Sequence, residues 1–260
     1  MASSPGVPDG AGLKLDIDGA VATVTLHRPE RRNAMTPSLW LGLAAIGNSL
    51  PEDVRVVVIR GDGPSFSAGI DLRLFTAEGI PGEELARPGE AGFEEAIARY
   101  QSGYLWLRRP EIVSVAAVRG YAIGGGFQLA LACDLRVCAD DAVFCMKEPA
   151  LGLVPDLTGT KPLVDIVGLP RALEICLTAR NIPAAEARAL GLAELVVPAT
   201  DLDTAVAGLA AALQVADPDT ARATKELLTG APGRTLAEQA AAERSVQAAL
   251  QQRRGRNGSW

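Results

Sequence analysis

The 260-residue chain has a single histidine, His27. A Ser-His-Asp or Cys-His nucleophilic site would have to be built on it, and a zinc site made of several histidines is excluded. His27 closes the strand-like run AVATVTLH and reads as a partly buried strand-end residue. The four cysteines, Cys133, Cys138, Cys145 and Cys176, form no CxxC pair and sit among apolar residues, as packed free thiols in a reducing compartment do. No apolar run reaches the roughly 18 residues of a membrane span. The opening MASSPGVPDGAG lacks the basic-then-apolar order of a secretory signal. Basic charge is not in excess: 25 Lys and Arg stand against 31 Asp and Glu, a net charge of −6, which argues against binding nucleic acid by phosphate neutralisation. No GxxxxGK[ST] occurs, and IGGGFQLA carries Leu129 where a dinucleotide fingerprint needs its last glycine. Aromatics are only 4%, but 48% hydrophobic and 22% charged residues suffice for one large core.

What is present alternates. Residues 13–17 and 20–26 interleave apolar and polar side chains around Asp18-Gly19, a hairpin signal. Thr36-Pro37 opens a helix, with Thr36 as cap and proline at the first helical position. VRVVVIR (54–60) and IVSVAAV (112–118) read as buried parallel strands. A helix is expected over 93–108, another up to Ala132, and short strands over 134–138 and 142–145. Tyr100, Tyr104 and Trp106 recur along the first of these helices as core or pocket lining. Residues 76–92, rich in Gly, Pro and Glu, read as a mobile surface segment able to cover a pocket. Strands alternating with helices imply an α/β core. After residue 157 helices take over, at 161–167, 171–177, 184–190, 202–213, 220–228 and 236–252, with one strand at 195–197. The division is therefore a frayed tail over 1–12, a core over 13–195 and a helical region over 196–260, ending in a solvated basic tail.

Two glycine-marked turns stand out. SFSAGIDL (65–72) follows a buried strand, and GGGFQ (124–128) joins a strand to a helix. Glycines before a helix leave backbone N–H groups exposed at its positive end. Two such donors converging on one carbonyl oxygen make an oxyanion hole.

In this order and spacing, HRPERRNAM (27–35), SFSAGIDL, RGYAIGGGFQLALACDLRV (119–137) and CMKEPALGLVPDLTGT (145–160) resemble the crotonase superfamily of enoyl-CoA hydratases and isomerases. The resemblance implies a crotonase (ClpP/crotonase-like) spiral of ββα units with a helical C-terminal trimerisation region, acting as a homotrimer or homohexamer in the cytoplasm. It implies an acyl-CoA thioester as substrate, with coenzyme A arriving as part of it and neither a metal nor a further cofactor required. Its oxyanion donors match the backbone N–H groups of Ala68 and Gly125. Glu30, Arg31 and Arg32, with Phe66 and Ala68, match the coenzyme A turn, and Lys225 matches a lysine near that moiety.

Family hydratases hold a water between two glutamates. The second matches Glu148; the first falls on Gln128, whose amide can orient a water but cannot exchange a proton at neutral pH. Glu148 lies in the apolar stretch FCMKEPALGLV, where desolvation raises a carboxyl pKa towards general acid–base use. Lys147 should face away from it, as strand neighbours do. Asp156, eight positions on, either caps a helix or supplies a second carboxylate, as in the similar dienoyl-CoA isomerase branch. A one-base double-bond shift needs only Glu148 and the oxyanion hole. Isomerisation is thus expected ahead of hydration. The alternatives are a 2-enoyl-CoA hydratase using Glu148, a lyase or isomerase of a bulky acyl group, or a non-catalytic acyl-CoA binding protein. Asp71 is expected to cap the following helix, and Arg73 either meets a phosphate or is solvated.

Overall fold

The computed structural model describes residues 7, 8, 10–87, 89 and 91–257, the side chains only as far as residue 253. Strands β1 (Leu13–Asp18) and β2 (Val21–Leu26) pair antiparallel. They are joined at Gly19-Ala20, one residue later than expected, with Gly19 at φ 54°. Helix α1 (Pro37–Ser49) starts at the expected cap, where the Thr36 hydroxyl accepts from Leu39 N–H. β3 (Val56–Gly61) follows, then α2 (Phe93–Leu105), which tightens into a 3-10 turn over Trp106–Arg108. Next come β4 (Val113–Val118), β5 (Tyr121–Ile123) and α3 (Gly125–Ala132). β6 (Leu135–Ala139), β7 (Val143–Cys145) and α4 (Thr160–Thr178) repeat the pattern. The helices expected at 161–167 and 171–177 form α4 together, bent at Gly168 (φ 75°, ψ 159°) ahead of Pro170. β8 (Ile182–Pro183), α5 (Ala184–Ala189), β9 (Leu195–Val197), α6 (Leu202–Leu213), α7 (Pro218–Gly230) and α8 (Leu236–Asn257) complete the chain.

The strands divide between a six-stranded sheet, in the order β1-β2-β3-β4-β6-β9, and a three-stranded sheet, β5-β7-β8. The units β4-β5-α3 and β6-β7-α4 each send one strand to the large sheet, one to the small sheet, then a helix, whereas β1 and β2 both join the large sheet. In the repeat begun by β3 the second strand is reduced to Ser67, which bridges Ala122 in parallel. That is the spiral of ββα units the resemblance implies. β5 and β8 escaped the sequence reading because two or three residues are too few to show a period.

Strand alternation builds two cores on opposite faces of the large sheet. Val57, Ile59, Ala116, Val118 and Cys138 face the main core with α1, α2 and α3. Val56, Val58, Val115, Ala117, Val137 and Ala139 face α6 through Leu202, Val206 and Ala210. Two expected boundaries shift accordingly. A division at 195 would cut β9, and α6 covers the core rather than lying outside it. Part of the tail expected over 1–12 is packed: Ala11 is 2% exposed, and a Cβ on Gly42 would meet its Cβ at 2.8 Å, while Pro8 and Gly10 are exposed. Residues 1–6 and 9 lie outside the described residues. The final helix runs five residues beyond the expected 252, to Asn257; 258–260 lie outside the described residues. Among the described residues no helix is long and apolar enough to cross a membrane.

Candidate active site

The two glycine-marked turns meet. Ser67 N–H donates to Tyr121 O at 2.8 Å, and Ile123 N–H donates back to Ser67 O at 2.9 Å. The contact is so close that a Cβ on Gly126 would lie 2.7 Å from Ser67 Cβ, and one on Gly69 2.6 Å from Ile123 O. The 27–35 turn is stitched to the same place. Buried Asn33, at φ 54°, donates to Asp62 O and Ser65 O, while its own carbonyl accepts from Ser67 Oγ. The sequence reading did not single out Asn33, although an asparagine that tolerates the left-handed region in a turn is a recognisable signal.

The free donors differ from those expected. Ala68 N–H donates to Arg32 O at 2.8 Å, Gly69 N–H to Ser67 Oγ at 3.1 Å and Asp71 N–H to Met35 O at 2.9 Å. Ala68 therefore has no N–H to offer a ligand. Between Ser67 and Asp71, Ile70 N–H is the one without an acceptor among the described residues, and Ile70 lines the cavity. In the second turn Gly124 N–H donates to Cys145 O, while Gly125 N–H, in the first turn of α3, keeps no acceptor. Tyr104, buried on α2, donates its hydroxyl to Gly125 O at 3.1 Å and so steadies that helix start.

Both turns open on one cavity of about 780 Å³ with mostly apolar walls. Phe75, Leu85 and Ala86 contribute one side of it, so part of the 76–92 segment forms wall, anchored where Glu83 accepts from Ser38 N–H on α1. Tyr100 and Ile97 of α2 contribute another, while Trp106 packs in the core. A smaller cavity of about 210 Å³ shares Ala68, Ile123 and Lys147 with the first and adds Arg32.

Glu148 and Asp156 both line the large cavity. Glu148 opens a 3-10 turn (Glu148–Leu151) rather than ending a strand, and is 8% exposed. Its Oε1 accepts from Gln128 Nε2 at 2.7 Å; its Oε2 is buried without a hydrogen-bond partner. Burial pushes its carboxyl above the usual glutamate range, and burial does the same to Asp156. Exposed Lys147 sits at the rim of both cavities. Asp156 does not cap α4, whose N-cap is Gly159. Gln128 lines neither cavity: it is 0% exposed, and its Oε1 accepts from Leu157 N–H at 2.9 Å and Gly159 N–H at 3.1 Å.

Two further expectations need correction. Phe66 is 0% exposed, so its side chain fills the core and is closed to a ligand. Lys225 lines neither cavity; its ammonium donates to Arg109 O, Ile112 O and, at 2.6 Å, Asp134 Oδ2, taking up all three of its protons. Arg73 pairs with Asp71, whose carboxyl is held at about 2 by that hydrogen-bonded guanidinium and by Arg28. Asp71 does accept from Arg73 N–H at the start of the 3-10 turn Leu72–Phe75. Glu30 and Arg31 lie exposed on the turn Pro29–Arg31, beside Arg32.

The sequence model for enoyl-CoA hydratases and isomerases matches residues 16–259. The chain belongs to the enoyl-CoA hydratase/isomerase family. Its similarity to other members spans several activities. It is 36% identical over 241 residues to the human mitochondrial Delta(3,5)-Delta(2,4)-dienoyl-CoA isomerase, covering 89% of this chain and 73% of that protein. It is 33% identical over 217 residues to the hydroxycinnamoyl-CoA hydratase-lyase of Pseudomonas fluorescens, covering 82% and 76%. Among solved structures, a candidate enoyl-CoA hydratase of Thermobifida fusca YX in complex with CoA is 58% identical, with a TM-score of 0.91 over 95% of each chain. The crotonase fold is thus common to this chain and its family.

Proposed function

We propose that this enzyme moves a carbon–carbon double bond along an apolar acyl-CoA thioester. The thioester oxygen lies between Ile70 N–H and Gly125 N–H, two donors fixed before the substrate arrives. Glu148, whose carboxyl stands in the cavity wall, removes a proton from the acyl chain. The electron pair moves into a dienolate whose charge rests on the oxygen held by the two amides. Protonation at another carbon completes the shift, either from Glu148 itself or from Asp156 in the same wall. No atom is gained or lost, so one base and one returned proton balance the reaction. The carrying observation is Gln128: its amide is occupied by Glu148, Leu157 and Gly159, which leaves the proton transfers to Glu148 and Asp156. Similarity to a dienoyl-CoA isomerase supports this choice.

Hydration of a 2-enoyl-CoA by Glu148 is the second reading, favoured by the 58% identity to a candidate hydratase. The two separate when 2-enoyl-, 3-enoyl- and 3,5-dienoyl-CoA are offered to wild type and to Glu148→Gln, with products followed by absorbance and mass and with acyl-CoA binding measured alongside. We expect the 3-enoyl or dienoyl substrate to isomerise. Loss of the general base should cut kcat by about 10²–10⁴ while Kd stays within about threefold. A hydroxyacyl product from the 2-enoyl substrate would establish hydration instead. Binding without turnover of any substrate would point to an acyl-CoA carrier. We further propose a cytoplasmic homotrimer or pair of trimers, supported by α7 having no buried residue and by the exposure of Leu169, Leu173 and Leu177 on α4.

A further inference from the structure

We infer that Gln128 is a positioning residue: a neutral bracket that sets the spacing between the Glu148 and Asp156 carboxyls and holds the Glu148 carboxyl by Oε1 alone. The inference rests on the isomerase reading for its catalytic meaning. Its geometry stands apart from that reading.

Gln128 projects from α3 and holds two separate segments at once. Nε2 meets Glu148 Oε1 at 2.7 Å, at the start of the turn that carries the base. Oε1 meets the N–H groups of Leu157 and Gly159, on the segment that directly follows Asp156. Those two N–H groups converge on one oxygen because Thr158, between them, takes φ 70°, a conformation costly for a β-branched residue and maintained by what surrounds it. The loop approaches so closely that a Cβ on Gly159 would lie 2.6 Å from Gln128 Cγ. Only an amide satisfies both sides. One end must accept from two backbone donors, and the other must donate to a carboxylate. A glutamate could accept from Leu157 and Gly159, but its second oxygen would then face Glu148 Oε1 with no proton to give. The two carboxyls would have to share one, as close carboxylate pairs do. The other titratable or charged groups facing Glu148 are Asp156, Lys147 at the rim, the Tyr104 hydroxyl, and the thiols of Cys145 and Cys176; burial raises the hydroxyl and both thiols.

The test compares Gln128→Glu and Gln128→Met with wild type. The Glu148 carboxyl is titrated by NMR of ¹³C-carboxyl-labelled protein, assigned by loss of its signal in Glu148→Gln. Kinetics on the substrate that wild type isomerises give the pH profile. In Gln128→Glu we expect the Glu148 midpoint to rise by about one unit or more, and the ascending limb of kcat/KM to move with it. In Gln128→Met we expect kcat to fall at least about tenfold with KM within about threefold, because the base is displaced while the binding walls remain. An unmoved Glu148 midpoint in a folded Gln128→Glu overturns the inference. So does wild-type kcat in Gln128→Met, and so does new hydratase activity in Gln128→Glu with an unchanged pH profile, since that would place residue 128 against the substrate. The titration needs no turnover, so it decides on the bracket even where the isomerase reading fails.

Discussion

At the scale of single residues, the site concentrates cost where chemistry is needed. Glu148 Oε2 is buried with no partner, a state that favours the protonated carboxyl. Its pKa is raised in the folded protein, so its contribution to stability is full below the unfolded glutamate pKa and is lost as pH rises through the folded value. Asp156 acts in the same direction. Glu148→Gln should therefore melt higher than wild type at pH 8 and show little gain at pH 4, each unit of the shift being worth about 1.4 kcal/mol. Thermal melts at both pH values check this; equal melting temperatures at pH 8 would contradict it. The residues of the site were unequally legible in the sequence. Glu148 was readable because a carboxylate in FCMKEPALGLV has no aqueous surroundings to keep it ordinary. Ala68 and Ile70 were not distinguishable, because which N–H in a turn is free depends on partners far along the chain, here Arg32 and Met35. Gln128 was readable as unable to transfer protons, but its attachment to Leu157 and Gly159 was not.

At the scale of elements, the strands and helices followed their patterns where those were long. The β-branched runs became β3 and β4, and Thr36-Pro37 opened α1. Short elements depended on neighbours: β5 exists because it lies along β7, and Ser67 because it lies along Ala122. The helices after residue 213 pose a different problem. α7 buries no residue and is fastened by Lys225, whose ammonium reaches the end of the 3-10 turn before β4 and Asp134 at the head of β6. Asp134 in turn accepts from Ser114 N–H at 2.8 Å. Lys225→Met should thus loosen α7 and destabilise the chain by roughly 1–3 kcal/mol. That is less than the ~3–5 kcal/mol of a fully buried pair, since water still reaches both groups. Acyl-CoA affinity should be unchanged. Denaturant midpoints and Kd measured side by side test both halves, and a weakened Kd with unaltered stability would return Lys225 to the ligand.

At the scale of the molecule, the large sheet separates a core that supports the site from one that supports the outer helix α6. The α/β class was legible because long strands alternate with helices in the hydrophobic pattern; the spiral of ββα units was legible only through the family resemblance, since β5, β8 and the bridging Ser67 are too short to show a period. The proposed assembly was not, since exposed Leu169, Leu173 and Leu177 look alike in sequence whether water or another copy covers them. Sedimentation equilibrium should give three or six copies per particle, and Leu173→Lys with Leu177→Lys should shift the population towards single chains; a wild-type monomer would refute the assembly. The donors at Ile70 and Gly125 belong to the main chain, and the turns carrying them are laced together by Ser67, Tyr121 and Ile123 through main-chain bonds. The part of the site proposed to hold charge on the thioester oxygen consequently has no side chain of its own, and alanine substitution reaches it only indirectly, through the Cβ clashes at Gly69 and Gly126. Selection can rewrite the cavity walls, exchange Gln128 or move a carboxylate without touching it. A catalogue of substitutions in the walls would therefore map what this enzyme prefers to act on, while the proposed donors would show only through the glycines that let the two turns meet.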